Sequence, residues 1–84
     1  MEKNITLLRM FEVSLNISEN PFMLSIHDCE NSKTIQIEYE LTDDGSPAQQ
    51  AVMYLNRRGI MISHMALSKG DSVALLTEDI TTDL

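Results

Sequence analysis

The chain has 84 residues and a mass of 9.5 kDa, which accommodates one small domain, because chains divide into separate hydrophobic cores only at several times this length. Apolar residues make up 43% and charged residues 23% of the sequence, which is typical of a globular fold and argues against a disordered chain, a collagen or a coiled coil. Thirteen acidic residues against six basic ones give a formal charge of −7, which disfavours direct binding to nucleic acid or to an anionic membrane and favours a basic partner.

The first alternating segment runs from Phe11 to Ile17, where apolar side chains alternate with polar ones. This two-residue period predicts a strand that has one face in solvent. Residues 5–15 also carry a helical stripe that Asn4 would cap, so a helix remains the alternative. The β-branched side chains of Val13 and Ile17 favour the strand.

Two further alternating segments follow. Residues 22–27 predict a second strand, and a polar break over residues 28–33 predicts a hairpin loop after it. The clearest alternation in the chain runs from Thr34 to Thr42, with Glu38 and Glu40 on the polar side. It predicts a third strand with one face in solvent.

A helix start and a helix stop enclose the next segment. Ser46-Pro47-Ala48-Gln49 matches a capping box with proline at the first helical position. Apolar residues then recur at helical spacing, and Gly59 supplies a left-handed stop. The sequence predicts a helix from Pro47 to Arg58.

Beyond the helix, two apolar segments, residues 60–67 and 72–77, flank a glycine-containing turn and predict a hairpin of a fourth and a fifth strand. Residues 78–84 are polar and acidic, and we expect a frayed tail there. The element order β-β-β-α-β-β predicts an α+β fold: a small single-layer antiparallel sheet with one helix packed on one face. We expect this to be a single domain over residues 1–84.

Reactive side chains are few. The sequence contains two histidines, one cysteine and three glycines, and none of the common catalytic, zinc-binding or phosphate-binding motifs. The prediction is therefore a chain without catalytic residues, metal ligands or cofactors. His27 and Cys29, with His64 as a third ligand, form the combination that would serve a metal site or a small enzyme, and this is the first alternative function.

The same residue counts indicate the cellular compartment. A lone cysteine excludes an internal disulfide and fits a reducing environment. The sequence shows neither a basic and apolar leader nor an apolar run long enough to cross a bilayer. We expect a cytoplasmic protein.

Acidic side chains form the first candidate partner-binding surface. Glu38 and Glu40 on the third strand are followed closely by Asp43 and Asp44. Such a negative stripe attracts basic partners and repels nucleic acid.

Apolar side chains on the fourth strand form the second candidate surface. Met61, Met65 and Leu67 lie on the face opposite that of its isoleucines, although a strand of a two-layer fold keeps one face polar. We therefore expect this apolar face to be covered. A self-associated dimer, a docked partner or a central position of the strand in the sheet would each cover it.

These patterns predict a non-catalytic acidic module that docks on a basic or apolar surface of another protein as a regulator or inhibitor, without direct nucleic-acid or membrane binding. Small acidic chains of this kind include regulators carried by bacteriophages and mobile elements, some of which mimic DNA with their acidic side chains. A second alternative function is a dimeric nucleic-acid-binding regulator that uses Arg57 and Arg58.

Overall fold

The computed structural model describes residues 8–18, 20–40, 46–67 and 72–84. Within these ranges the chain forms, in order, β1 (Arg9–Asn16), β2 (Met23–Asp28), β3 (Lys33–Glu38), α1 (Pro47–Arg57), β4 (His64–Leu67) and β5 (Val73–Thr77). The predicted α+β fold with the order β-β-β-α-β-β is confirmed. The first segment is a strand over residues 9–16, so the helical alternative is wrong there.

The five strands form one sheet in the order β3-β2-β1-β5-β4, and every neighbouring pair is antiparallel. β1 therefore lies at the centre, while β3 and β4 are the two edge strands. The central position considered for the fourth strand is wrong. The chain passes from one edge to the other through α1, which packs across β1, β2 and β5.

The core lies between α1 and one face of the sheet. The register pairs Phe11 with Asp28 and Leu75, and Val13 with Ile26 and Val73, so alternate residues of three adjacent strands face the helix. The buried apolar residues that form one cluster are Phe11, Val13, Leu24, Ile26, Ala51, Leu55, Ile60, Leu75 and Leu84. The opposite face of the sheet carries exposed side chains such as Glu12 and Ser14.

Both ends of α1 follow the chemistry expected from the sequence. The Ser46 hydroxyl accepts a hydrogen bond from the Gln49 backbone N–H at 3.2 Å, and the Gln49 side chain accepts one from the Ser46 backbone N–H at 3.4 Å. At the other end Gly59 has a φ of +88°. The backbone N–H of Ile60 donates back to the carbonyl of Leu55 at 2.9 Å, which completes a Schellman stop.

Candidate functional site

A buried ion pair joins the middle of the sheet to the turn between β2 and β3. Arg9 is 1% exposed and Asp28 is fully buried, and Arg9 Nη2 lies 2.5 Å from Asp28 Oδ2. Sequence analysis placed residue 28 in the polar break after the second strand and did not single out Arg9. The two-residue period of a strand could have revealed both residues. Arg9 stands two residues before the buried Phe11, and Asp28 stands two residues after the buried Ile26, so both side chains belong to the inward face of the sheet.

Further hydrogen bonds satisfy both members of this pair. The Asp28 carboxylate accepts hydrogen bonds from the backbone N–H of Glu30 at 3.1 Å and from the Asn31 side chain at 2.8 Å. Arg9 Nη1 donates to the Thr82 carbonyl oxygen at 2.6 Å. Burial raises the pKa of Asp28, but the hydrogen bonds from Arg9 and Asn31 outweigh it and lower the pKa from 3.8 to about 2.

The segment after β5 folds back onto the sheet, which differs from the frayed tail expected over residues 78–84. Leu84 is 3% exposed and belongs to the core cluster. The ammonium group of Lys33 donates to the Leu84 carbonyl oxygen at 2.9 Å. Asp79 closes a local turn by accepting hydrogen bonds from the backbone N–H groups of Thr81 and Thr82, and hydrogen bonds from these threonines hold the pKa of its carboxyl well below the usual range.

The histidines and the cysteine do not converge. His27 lies on β2, where its Nδ1 is 2.6 Å from the Thr34 hydroxyl, and His64 lies on β4 with Nδ1 2.9 Å from the Ser63 hydroxyl. β1 and β5 separate these strands, a spacing of roughly 14 Å. Within the described ranges, no three His, Cys, Asp or Glu side chains are grouped closely enough to hold a metal ion.

Cys29 lies in the turn that follows β2. Burial and the neighbouring Glu12 carboxylate raise the pKa of the Cys29 thiol, which lowers the fraction of reactive thiolate. The thiol lines a cleft of about 370 Å³ together with Arg9 and Ile80. Its sulfur makes a 3.9 Å contact with the His27 carbonyl oxygen rather than with the imidazole ring. The His27 imidazole and the Cys29 thiol therefore have different hydrogen-bond partners.

The β3 edge is the outer border of the sheet along residues 33–40. Glu38 and Glu40 are both exposed, as predicted, and Ile35 and Ile37 are half-buried on the opposite side of the strand. Glu40 is held by Gln50 of α1, whose side-chain amide accepts from the Glu40 backbone N–H at 3.1 Å and donates to its carbonyl oxygen at 2.5 Å. Among the residues that the structure describes, β3 pairs with β2 alone.

Asp43 and Asp44, which sequence analysis grouped with these glutamates, lie outside the described residues. The acidic surface argued from structure is therefore limited to Glu38 and Glu40. With a spacing of two residues, and with Tyr39 half-buried between them, the two carboxylates project from the same side about 7 Å apart at their roots.

The β4 edge is the opposite border of the sheet, along residues 61–67. Met61 is 66% exposed and Met65 is 54% exposed. Leu67 pairs through its backbone with Val73, but its side chain lies outside the described part of the chain. β3 and β4 are separated by roughly 19 Å, so the acidic and apolar candidate residues form two distinct surfaces.

Arg57 and Arg58 lie on the last turn of α1 and just beyond it, and both are exposed. The Arg58 guanidinium carbon is 5.5 Å from the centre of the Tyr54 ring. Positive charge at this end of a helix stabilises the helix dipole. Their position therefore gives both arginines a structural role at the end of the helix.

Comparisons with protein-family models, with curated proteins and with solved structures give no match. The function is therefore inferred from the geometry of the chain itself. In the described parts of the chain, no helix combines the length and the apolar character needed to cross a membrane.

The buried ion pair gives the first prediction. Replacement of Arg9 by Met leaves the Asp28 carboxylate buried without its cation, and we expect the free energy of unfolding to fall by about 3–5 kcal/mol. The double variant Arg9→Met/Asp28→Asn removes that stranded charge and should be more stable than Arg9→Met alone. Urea unfolding of the wild type, Arg9→Met, Asp28→Asn and the double variant measures this coupling, and additive losses from the two single changes would contradict it.

The lowered pKa of Asp28 gives a second prediction, on acid stability. Because folding lowers this pKa, the contribution of the carboxylate is complete above pH 4 and is lost as the pH falls from 4 towards 2. The loss amounts to about 2 kcal/mol. The stability difference between the wild type and Asp28→Asn, measured by urea unfolding at each pH, should shrink over that interval, and a constant difference would refute the assignment.

Proposed function

We propose that this protein is a small non-catalytic module that binds another protein through the β3 edge and acts as a regulator or inhibitor of that partner. The observation that supports this most directly is the combination found on one edge strand. Glu38 and Glu40 are exposed on one side, Ile35 and Ile37 are half-buried on the other, and within the described residues the outer backbone edge of β3 is unpaired.

The electrostatics favour a basic partner. The formal charge of −7 attracts cationic surfaces over several ångströms beyond contact and increases the rate of encounter. Each exposed carboxylate contributes little to affinity, about 0.2–1 kcal/mol, when it pairs with a lysine or arginine. Charge therefore selects the partner, while the backbone edge and the isoleucines must supply most of the binding free energy.

An extended segment of alternating basic and apolar residues fits this edge. Added as a sixth strand, its backbone would pair with β3, and alternate side chains would lie on alternate faces. The basic side chains would then lie beside Glu38 and Glu40, and the apolar ones beside Ile35 and Ile37. Basic segments of this kind are common in proteins that bind nucleic acid, so the module would compete with nucleic acid for such a partner.

The proposed role needs neither turnover nor a cofactor, and we propose that the protein acts in the cytoplasm. The rival function requires His64 on β4 to reach His27 on β2 and Cys29 in the turn after β2, although β1 and β5 lie between these two strands. The rival nucleic-acid function requires Arg57 and Arg58 to overcome the excess negative charge of the whole chain.

Titration with a synthetic peptide tests the proposal. A fluorescently labelled peptide of alternating lysine or arginine and valine should bind, and its affinity should fall as salt is raised. In the double variant Glu38→Gln/Glu40→Gln we expect the affinity to fall about fivefold, from the loss of two exposed ion pairs. Fluorescence anisotropy measures both effects.

The matched control is Glu12→Gln/Glu78→Gln, which removes the same charge at two other exposed positions. If this control weakens binding as much as the β3-edge variant does, only net charge matters and the assignment of the β3 edge is wrong. A peptide with glutamate in place of its basic residues should not bind. Recovery of a host protein by the wild type, but not by Glu38→Gln/Glu40→Gln, would then identify the physiological partner by mass spectrometry.

A further inference from the structure

We infer that the β4 edge pairs with the β4 edge of a second copy of this chain and joins two sheets into one across a twofold axis. This surface is separate from the β3 edge, so the inference does not depend on the proposed function. It starts from a contrast between the two borders of the sheet. Along β3, Lys33 and Glu38 are charged, whereas residues 60–67 contain no aspartate, glutamate, lysine or arginine.

Charge on an edge strand protects a sheet from pairing with another copy, and an uncharged edge lacks that protection. For a chain with a charge of −7, like-charge repulsion opposes self-association through most of its surface. The β4 edge is the border at which that repulsion is smallest. A basic partner would instead be attracted to the carboxylates of the β3 edge, which is why a second copy fits β4 better.

The exposed methionines support an apolar contact at this border. Met61 and Met65 are more than half exposed, and within the described residues β4 pairs with β5 alone. α1 packs against β1, β2 and β5 and so stops short of the edge. A second copy paired at this border would bury the exposed side chain of Met65, and methionine adapts readily to an apolar neighbour.

The register of the sheet limits how two copies can pair. Met65 is opposite Leu75 in the β4–β5 ladder, so its side chain is on the helix side of the sheet. In an antiparallel pair of identical strands the twofold axis is perpendicular to the sheet, and residues directly opposite each other share a face. A pairing centred on Met65 agrees with this symmetry. Met65 then lies opposite Met65 of the second copy, and His64 lies opposite Ala66 of the second copy.

The interface is small, because β4 has four residues. Interfaces of this size form transient complexes, so we expect reversible self-association with a dissociation constant between about 10 μM and 1 mM. Sedimentation equilibrium of the wild type from roughly 10 μM to 1 mM should show a concentration-dependent shift from monomer to dimer. A monomer throughout that range would overturn the inference.

Two lysine variants locate the interface. Met65→Lys would place two positive charges opposite each other and remove apolar burial, so the dimer dissociation constant should rise by at least about tenfold. The matched control is Met53→Lys on α1, since Met53 is 53% exposed and Met65 is 54% exposed. Thermal unfolding by circular dichroism checks that both variants fold. Equal self-association of the two variants would place the interface elsewhere.

A cross-link tests the register. Opposed residues in an antiparallel pair have Cα atoms about 4.5–5.5 Å apart, which is within the range of a disulfide. In a Cys29→Ser background, Met65→Cys should form covalent dimers on mild oxidation far faster than Met53→Cys. Equal rates would overturn the pairing centred on Met65. The variant Glu38→Gln/Glu40→Gln should weaken peptide binding and leave self-association intact, so failure of either hypothesis is distinguishable from failure of the other.

Discussion

The pairing of Arg9 with Asp28 is the constraint on which the arrangement of the sheet depends. A guanidinium on the inward face of the central strand has to be neutralised and hydrogen-bonded, because an unpaired buried charge costs several kcal/mol. Asp28 supplies the charge, and the Thr82 carbonyl oxygen supplies a further acceptor. Two segments far apart in sequence are thereby fixed to β1: the turn after β2 and the chain that follows β5. Among the described residues, every buried side-chain polar atom has a hydrogen-bond partner.

We propose that the two borders of this sheet, rather than its centre, carry the function. The chain uses α1 to cross from β3 to β4, so the two edge strands are far apart and have different chemistry. The β3 edge combines carboxylates with half-buried isoleucines, and the β4 edge presents exposed methionines without charge. We propose a basic extended partner for the β3 edge and a second copy of the chain for the β4 edge. Together they would produce a dimer with two outward β3 edges, which can engage two basic segments at once.

Local patterns were enough to predict the elements. Alternation located the first three strands, and the apolar segments around a turn located the last two, although β4 begins at His64 rather than at residue 60. The Ser46 capping box with the Gly59 stop placed the helix to within one residue of its observed end. The third strand is shorter than its alternation, since β3 ends at Glu38. Ile17 fits the period of β1 but is 68% exposed, because the strand ends at Asn16 before it.

The order of the strands in the sheet could not be predicted from the sequence. Alternation identifies the inward residues of a strand, but it does not say which strands are neighbours, so it left β4 equally able to be central or at an edge. The buried ion pair was missed because charged side chains are rarely buried. Only the two-residue spacing of Arg9 and Asp28 from inward-facing apolar residues indicated that they are buried. Placement of Leu84 in the core depends on the same pair, because Arg9 holds the segment that leads to it.

An NMR titration tests most directly whether the β3 edge is the binding site. The backbone amide chemical shifts of ¹⁵N-labelled protein are followed as the alternating basic and apolar peptide is added. Strand addition at β3 should perturb the amides of residues 33–38 and protect from exchange those that face outward, while the amides of β4 remain unchanged. Shifts concentrated at β4, on the exposed face of the sheet or nowhere at saturating peptide would contradict the account.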